Sequence, residues 1–503
     1  MDPFLELYQS NLIPNYCKKE DSEKYFERIL KNQPRSAYTE LDGIKISRLG
    51  FGSYRINRGN SIFASALRQS LLGGVNLIDT SSNYGDGSSE ALIGDILKKL
   101  IQKKELKREE VFVVTKIGYI QGKNLQLVQE KEKFGDGFSE ITYYDPNCFH
   151  CISPDFLEDQ LERARNRLGL FTIDGLLLHN PEYFLMDREH HNVSENKAKS
   201  EYYSRIEKAF VFLEKKRQLG IIRYYGISSN TFPKEESAYT FTSLKKVIEI
   251  AEEIRKKMEL ETSGFRIIQF PANLYETGFI GEKNNEGKSI IEIAKEKKIF
   301  TLVNRPLNAM KKKGGMDRLA IYRGKDLGSV ENELLIYKRN LEKIQDEAFK
   351  SLGIENEDFT FVSILDTYKD KFVNVDHFHQ ALNYSIIPQL KKLLGRVERL
   401  DVRKEFYTAY LNLLNEGIEK LEQFIESKAS VKMSPLLEKL QNSDSSLSEK
   451  TLSQAAVLCI LSFHGVNSVL VGMRKENYVQ DMLPILNSEL PIFKEEEFNS
   501  FEI

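Results

Sequence analysis

Short apolar runs alternate with amphipathic stretches along most of the chain. The runs are Leu49–Ser53, Val75–Ile78, Val111–Thr115, Ile173–Leu178, Ile222–Ile227, Phe265–Phe270, Ile299–Val303 and Val466–Val471. Between them lie Ser61–Leu72, Ser88–Leu100, Ser153–Leu168, Ser204–Leu219, Ser243–Lys257 and Gly287–Lys297, read as helices. Strands alternating with helices predict parallel βαβ units. Eight such strands predict an α/β fold, a closed (β/α)8 TIM barrel rather than an open sheet. Before the barrel, Tyr38–Ile46 alternates around Asp42-Gly43 and predicts a hairpin with a primed turn. Earlier still, Tyr25, Phe26, Ile29 and Leu30 have helical spacing and predict a helix that docks on the barrel.

The pattern breaks between the seventh and eighth runs. From about Asn308 to Lys450, apolar residues step by three or four instead. Leu334, Tyr337, Leu341, Ile344, Ala348 and Leu352 form one series; Phe406, Tyr410, Leu414, Ile418, Leu421 and Ile425 form another. Pro388 suits a helix start and is followed by Leu390, Leu393, Leu394, Val397 and Leu400. A small helical bundle is expected here. It would leave the barrel at the C-terminal end of a strand, beside the mouth, and serve as a lid or as a surface for a protein partner. Ser446–Phe463 should return the chain as the seventh barrel helix. The expected organisation is an N-terminal extension (1–36), the barrel (37–307 and 451–490), the helical insertion (308–450) and a C-terminal tail (491–503).

Composition adds bounds. The chain has 503 residues, 41% hydrophobic and 29% charged, enough to bury a large core. A formal charge of -2 gives no electrostatic reason to expect nucleic acid or an anionic membrane as partner. No apolar run approaches the roughly 18 residues of a membrane span. Met1-Asp2-Pro3-Phe4 lacks the basic and apolar regions of a signal peptide. Four cysteines in this length are too few for a disulfide scaffold, so a cytoplasmic location is expected.

Candidate chemistry lies at the strand ends, where catalytic groups of such barrels stand. Asp79 ends the second run and Tyr84 follows in a turn-rich loop, Ser81-Ser82-Asn83-Tyr84-Gly85. Lys116 follows the third run, His179 the fourth, Ser228-Ser229-Asn230 the fifth and Gly472-Met473-Arg474 the eighth, while Gln269 stands near the end of the sixth. Closure of the barrel would bring these to one mouth. A carboxylate and a phenol beside a cation can support proton transfer.

These residues carry a family resemblance. The chain resembles the aldo-keto reductases in Leu49-Gly50-Phe51-Gly52-Ser53-Tyr54-Arg55, Gly74-Val75-Asn76-Leu77-Ile78-Asp79-Thr80, Asn83-Tyr84-Gly85 with Ser89-Glu90, and Val113-Val114-Thr115-Lys116. Leu177-Leu178-His179-Asn180-Pro181-Glu182, Tyr225-Gly226-Ile227-Ser228-Ser229-Asn230 and Val471-Gly472-Met473-Arg474 continue it in the family's order. The resemblance implies hydride transfer between a nicotinamide cofactor and a carbonyl or alcohol substrate. It places the family's four catalytic positions on Asp79, Tyr84, Lys116 and His179. Tyr84 would be the proton donor, with its pKa lowered by Lys116. Asp79 would hold Lys116 charged, and His179 would position the carbonyl oxygen. Ser228, Ser229 or Asn230, and Gln269 would bind the nicotinamide amide. Ser53 and Tyr54 lie near the expected cofactor, as do Asn304, Arg305 and Leu307 after the seventh strand. Where many members carry an aromatic that stacks on the nicotinamide, this chain has Asn304, with Arg305 beside it. Arg474, following Gly472 and Met473, would meet a 2′-phosphate, favouring NADP (NADPH) over NAD. The alternative reading is a regulatory protein that keeps the scaffold and cofactor with little turnover.

Other motifs are read as structural. Cys148-Phe149-His150-Cys151 has no second cysteine pair to complete a zinc site. Asp376-His377-Phe378-His379 reads as polar surface, and Lys311-Lys312-Lys313-Gly314-Gly315 as a solvated charge run. The long segment Ile117–Ile152 either walls the substrate site or packs on the N-terminal extension.

Overall fold

The structure, a computed structural model, describes residues 12–30, 37–310, 315–320, 326–352, 360–372, 374–398, 404–493, 495–499 and 501. Met1-Asp2-Pro3-Phe4 and Lys311-Lys312-Lys313-Gly314 lie outside them. Eight parallel strands close a barrel: β1 (Leu49–Gly52), β2 (Leu77–Asp79), β3 (Phe112–Ile117), β4 (Ile173–His179), β5 (Ile222–Ser228), β6 (Phe265–Pro271), β7 (Phe300–Asn304) and β8 (Ser468–Val471). Each pairs with its neighbours in sequence, and β8 closes on β1 through Val469, Leu470 and Val471. Gly226 is required at the β5–β6 seam, because a Cβ there would run into the Ile267 carbonyl.

The hairpin forms from Tyr38–Leu41 and Ile44–Ser47, with φ of 51° at Asp42 and 83° at Gly43, both left-handed as a primed turn demands. Leu41, Ile44 and Ile46 pack in one cluster with Leu77, Phe112, Phe300 and Cys17 at the starts of the strands. This end of the barrel is therefore plugged, and chemistry is left to the other end. The helix Lys19–Ile29 buries Tyr25 and Phe26 against the same unit, and the Tyr25 hydroxyl donates to the Leu71 carbonyl at 2.6 Å.

Three expectations need correction. The helix placed at Ser204–Leu219 begins at Glu195 and runs to Gln218. Its first turns are polar and bury little besides Ala198 and Tyr202, so the apolar period starts late. Pro388 does not open a helix. It is the second residue of Ile387–Glu398, which continues Val375–Ala381 through a π turn at Leu382–Ile386. That wider turn relieves the clash a proline ring otherwise makes with the preceding helical turn. The returning barrel helix is shorter than Ser446–Phe463, spanning Leu452–Leu461.

The chain divides into two compact units, one drawn from 1–309, 444–447 and 456–503, the other from 310–443 and 448–455. Taken by itself, the second unit is helical, with Leu327–Leu352, Phe361–Tyr368, Val375–Glu398 and a long helix Lys404–Ser443. Its own core includes Leu334, Tyr337, Leu341, Phe361, Leu414, Leu421 and Ile425. Among the described residues no helix is long and apolar enough to cross a membrane.

Candidate active site

At the open end of the barrel, adjacent strands aim their last side chains inward. Asp79 closes β2, Lys116 is the penultimate residue of β3 and His179 closes β4. Lys116 is fully buried. Its ammonium donates to Asp79 Oδ2 at 2.7 Å, to the Thr80 carbonyl at 3.0 Å and to the Tyr84 hydroxyl at 3.3 Å. Three donors meet three acceptors, so the buried cation is fully satisfied. Gln269 Nε2 donates to the other Asp79 oxygen at 2.8 Å. Tyr84 rides on the loop after β2, whose turn is held by its N–H bond to the Ser81 carbonyl at 3.1 Å.

Burial works against charge on Lys116, but Asp79 and Tyr84 together hold its pKa above the usual ammonium value. Asp79 is pushed up by burial and pulled back by Lys116 and Gln269. The expectation that Lys116 lowers the Tyr84 pKa is corrected: burial dominates and raises it, with Lys116 opposing. Tyr84 is thus held as a neutral phenol with a proton to give. His179 sits well below its usual range because of burial, then Lys116, then His150. It is a neutral imidazole.

Around this pair the wall is aromatic. Tyr84 lies edge-on to Tyr54 at 5.0 Å and to His179 at 6.0 Å between ring centres. Tyr119 lies edge-on to His179 at 4.7 Å, and His150 Nε2 contacts the His179 carbonyl oxygen at 2.8 Å. Tyr119 and His150 belong to a small sheet of Tyr119–Ile120, Thr142–Asp145 and Cys148–His150. The long segment after β3 therefore walls the site. Gln121 donates to Cys148 Sγ at 3.3 Å, while Cys151 Sγ donates to the Ser139 carbonyl at 3.2 Å.

The residues expected at the cofactor divide. Gln269 is the hub of one group: Ser228 Oγ donates to its Oε1 at 3.1 Å and Asn304 Nδ2 reaches the same oxygen at 3.3 Å. Asn304 Oδ1 is buried with no hydrogen-bond partner. A carboxamide N–H would satisfy it, so Asn304, beside Gln269 and Ser228, offers an open acceptor to the amide end of a nicotinamide. Ser229 is turned into the wall against Thr231 at 3.0 Å, and Asn230 is tied through its backbone N–H to Glu182 at 2.7 Å. Ser53 is also buried, accepting from Ser89 Oγ at 2.8 Å, whereas Tyr54 is exposed at the rim. Arg305 donates to Glu276 at 3.0 Å, which engages its guanidinium, and Leu307 is half-buried. After β8, Gly472 is exposed, Met473 buried and Arg474 half-buried.

Sequence reasoning missed Ser81, Thr80, Tyr119 and His150. The first two lie inside the motif already singled out. The last two come from a segment whose fold could not be read from periodicity.

With this geometry in view, the comparisons identify the family. The Aldo/keto reductase family model matches residues 48–309, and the chain belongs to that family. It is 30% identical over 144 residues to an NADH-specific methylglyoxal reductase of Escherichia coli, covering 27% of this chain and 39% of that protein. It is 25% identical over 186 residues to an uncharacterized oxidoreductase of Bacillus subtilis, covering 37% and 46%. The chain thus spans less than half the length of these relatives. Similar solved structures include an aldo-keto reductase of Bacillus halodurans in its holo form, at 14% identity, TM-score 0.45, covering 93% of this chain and 95% of that one. The glycerol dehydrogenase of Gluconobacter oxydans is similar at 17% identity and TM-score 0.45, with the same coverage.

A pH test follows from the neutral imidazole and protonated phenol. The kcat/KM for carbonyl reduction should be flat between about pH 6 and 8, because burial holds the His179 pKa well below its ordinary value and the Tyr84 pKa above its own. An inflection near pH 6.5 that disappears with His179→Gln would contradict it.

Proposed function

We propose that this aldo/keto reductase family oxidoreductase interconverts a small carbonyl compound and its alcohol, with Tyr84 as proton donor. The observation that carries this reading is the complete hydrogen-bond set of buried Lys116, which presents the Tyr84 hydroxyl beside His179. A bound nicotinamide cofactor would supply the hydride. Asp79, Ser228, Gln269 and Asn304 would hold it through its amide. His179 positions the substrate oxygen, and Tyr84 hands its proton to that oxygen as negative charge develops. Lys116 stabilises the phenolate left behind, and Asp79 keeps Lys116 charged. The aromatic wall excludes water from the exchange.

Tyr84→Phe removes the donor while keeping the ring. It should lower kcat by about 10²-fold or more and leave the cofactor dissociation constant within about twofold, since the ring and its packing remain. Unchanged turnover would falsify the role of Tyr84. A parent protein that binds cofactor yet turns over no carbonyl would favour a regulatory scaffold instead.

For the cofactor, the proposal is NADPH, with Arg474 gripping the 2′-phosphate. The Escherichia coli relative is named for NADH, which makes the choice a point to measure. Arg474→Ala should weaken NADPH by about tenfold or more and NADH far less, because only NADPH carries the phosphate a guanidinium can grip. Equal losses in direct titrations would assign Arg474 another role.

A further inference from the structure

His179 can position a carbonyl oxygen only if the ring nitrogen facing the substrate carries a proton. Which nitrogen carries it is set by the partner of the other one. Here that partner is Ser81, whose Oγ lies 2.9 Å from His179 Nδ1. A hydroxyl has a single proton, and two other acceptors compete for this one. Asn83 Oδ1 is 2.7 Å away and the Lys116 carbonyl 3.2 Å. The Asn83 contact is the shorter of the two, so Asn83 is the decisive competitor. Asn83 is in turn held by Gln121: its Nδ2 donates to Gln121 Oε1 at 3.0 Å, and Gln121 Nε2 donates to Cys148 Sγ.

This chain of groups has two self-consistent directions. In the one the structure holds, Cys148 accepts from Gln121, Gln121 from Asn83, and Asn83 from Ser81. Ser81 must then accept from His179 Nδ1–H, and Nε2 presents a lone pair. That form suits an alcohol O–H. With both amides turned over, the Cys148 thiol donates to Gln121, Gln121 to Asn83, Asn83 to Ser81 and Ser81 to His179 Nδ1. Nε2 then carries the proton and can donate to a carbonyl. No atom in the chain loses its partner in either direction.

We infer that Ser81, Asn83 and Gln121 are positioning residues whose hydrogen-bond direction sets which nitrogen of His179 is protonated. The kinetic consequence rests on the reading of His179 in the proposed function, but the protonation state itself does not. Carbonyl binding requires the direction opposite to the one held here. Both reaction directions share one transition state, so locking the chain lowers kcat/KM equally in each.

Acceptor-only substitutions make the lock. Asn83→Asp offers Ser81 only a carboxylate oxygen, which takes its proton and leaves His179 protonated on Nδ1. Gln121→Glu does the same from one residue further away, by fixing Asn83 with its oxygen toward Ser81. The test uses full-length protein, with 15N imidazole spectra to read the His179 tautomer and steady-state kinetics alongside. Both variants should hold the His179 proton on Nδ1 and lower kcat/KM for carbonyl reduction by about tenfold or more. Cofactor affinity should be unchanged. In a Ser81→Ala background the relay is cut, so adding Asn83→Asp should leave the proton on Nε2 and change the rate by less than about twofold. The same His179 tautomer in Asn83→Asp with and without Ser81, or an undiminished Asp effect on the rate in the Ser81→Ala background, would overturn the inference. A parent without turnover would count against the proposed function, while the spectra would still decide the tautomer.

Discussion

The site depends on one buried ion pair. Lys116 and Asp79 lie 2.7 Å apart with side chains 0% and 6% exposed. Desolvating two charges costs several kcal/mol per ion, and their attraction offsets this only when every remaining donor and acceptor is met. Here each is met. Thr80 and Tyr84 take the other two protons of Lys116, and Gln269 covers the second oxygen of Asp79. The phenol is therefore fixed beside the cation by electrostatic necessity. The amide of Gln269 is fixed in the same way, and with it Ser228 and Asn304. The proposed proton donor and the proposed amide-binding cluster thus depend on one constraint.

The barrel makes that constraint affordable. Adjacent strands β2 and β3 bring the two charges together, β6 brings Gln269 across the barrel and β4 brings His179 alongside. The opposite end is closed by Leu41, Ile44 and Ile46 of the hairpin, so an apolar cluster backs that end of the barrel. Low dielectric strengthens the pair and also raises the Tyr84 pKa. A phenol kept protonated beside an ammonium suits a proton donor better than a preformed phenolate would.

Much of this was legible in the sequence, for physical reasons. All eight strands were expected near their places, because strands buried on both faces read as uninterrupted apolar runs. Asp79, Lys116 and His179 stood out as polar residues ending such runs, and Tyr84 through the loop beside them. The wall formed by Tyr119 and His150 was not legible, since its strands are too short to carry a period. The directions of the Ser53 and Ser229 side chains were not legible either. Both are small and polar at strand ends, and only packing decides whether such a hydroxyl faces the cavity or the wall. The Tyr84 pKa was misjudged because sequence shows a neighbouring cation but not the depth of burial. The helix from Glu195 was cut short because its first turns bury few apolar side chains.

The most direct test follows the hydride itself. NADPH and NADH, each deuterated at the transferring carbon, would be incubated with the protein and a panel of small aldehydes and ketones, and the alcohols analysed by mass spectrometry. The expected result is one deuterium on the carbinol carbon for each cofactor molecule oxidised, with the second hydrogen on oxygen drawn from solvent. Cofactor binding without any deuterium in an alcohol product, across the whole panel and with both cofactors, would contradict the assignment of this site to carbonyl reduction.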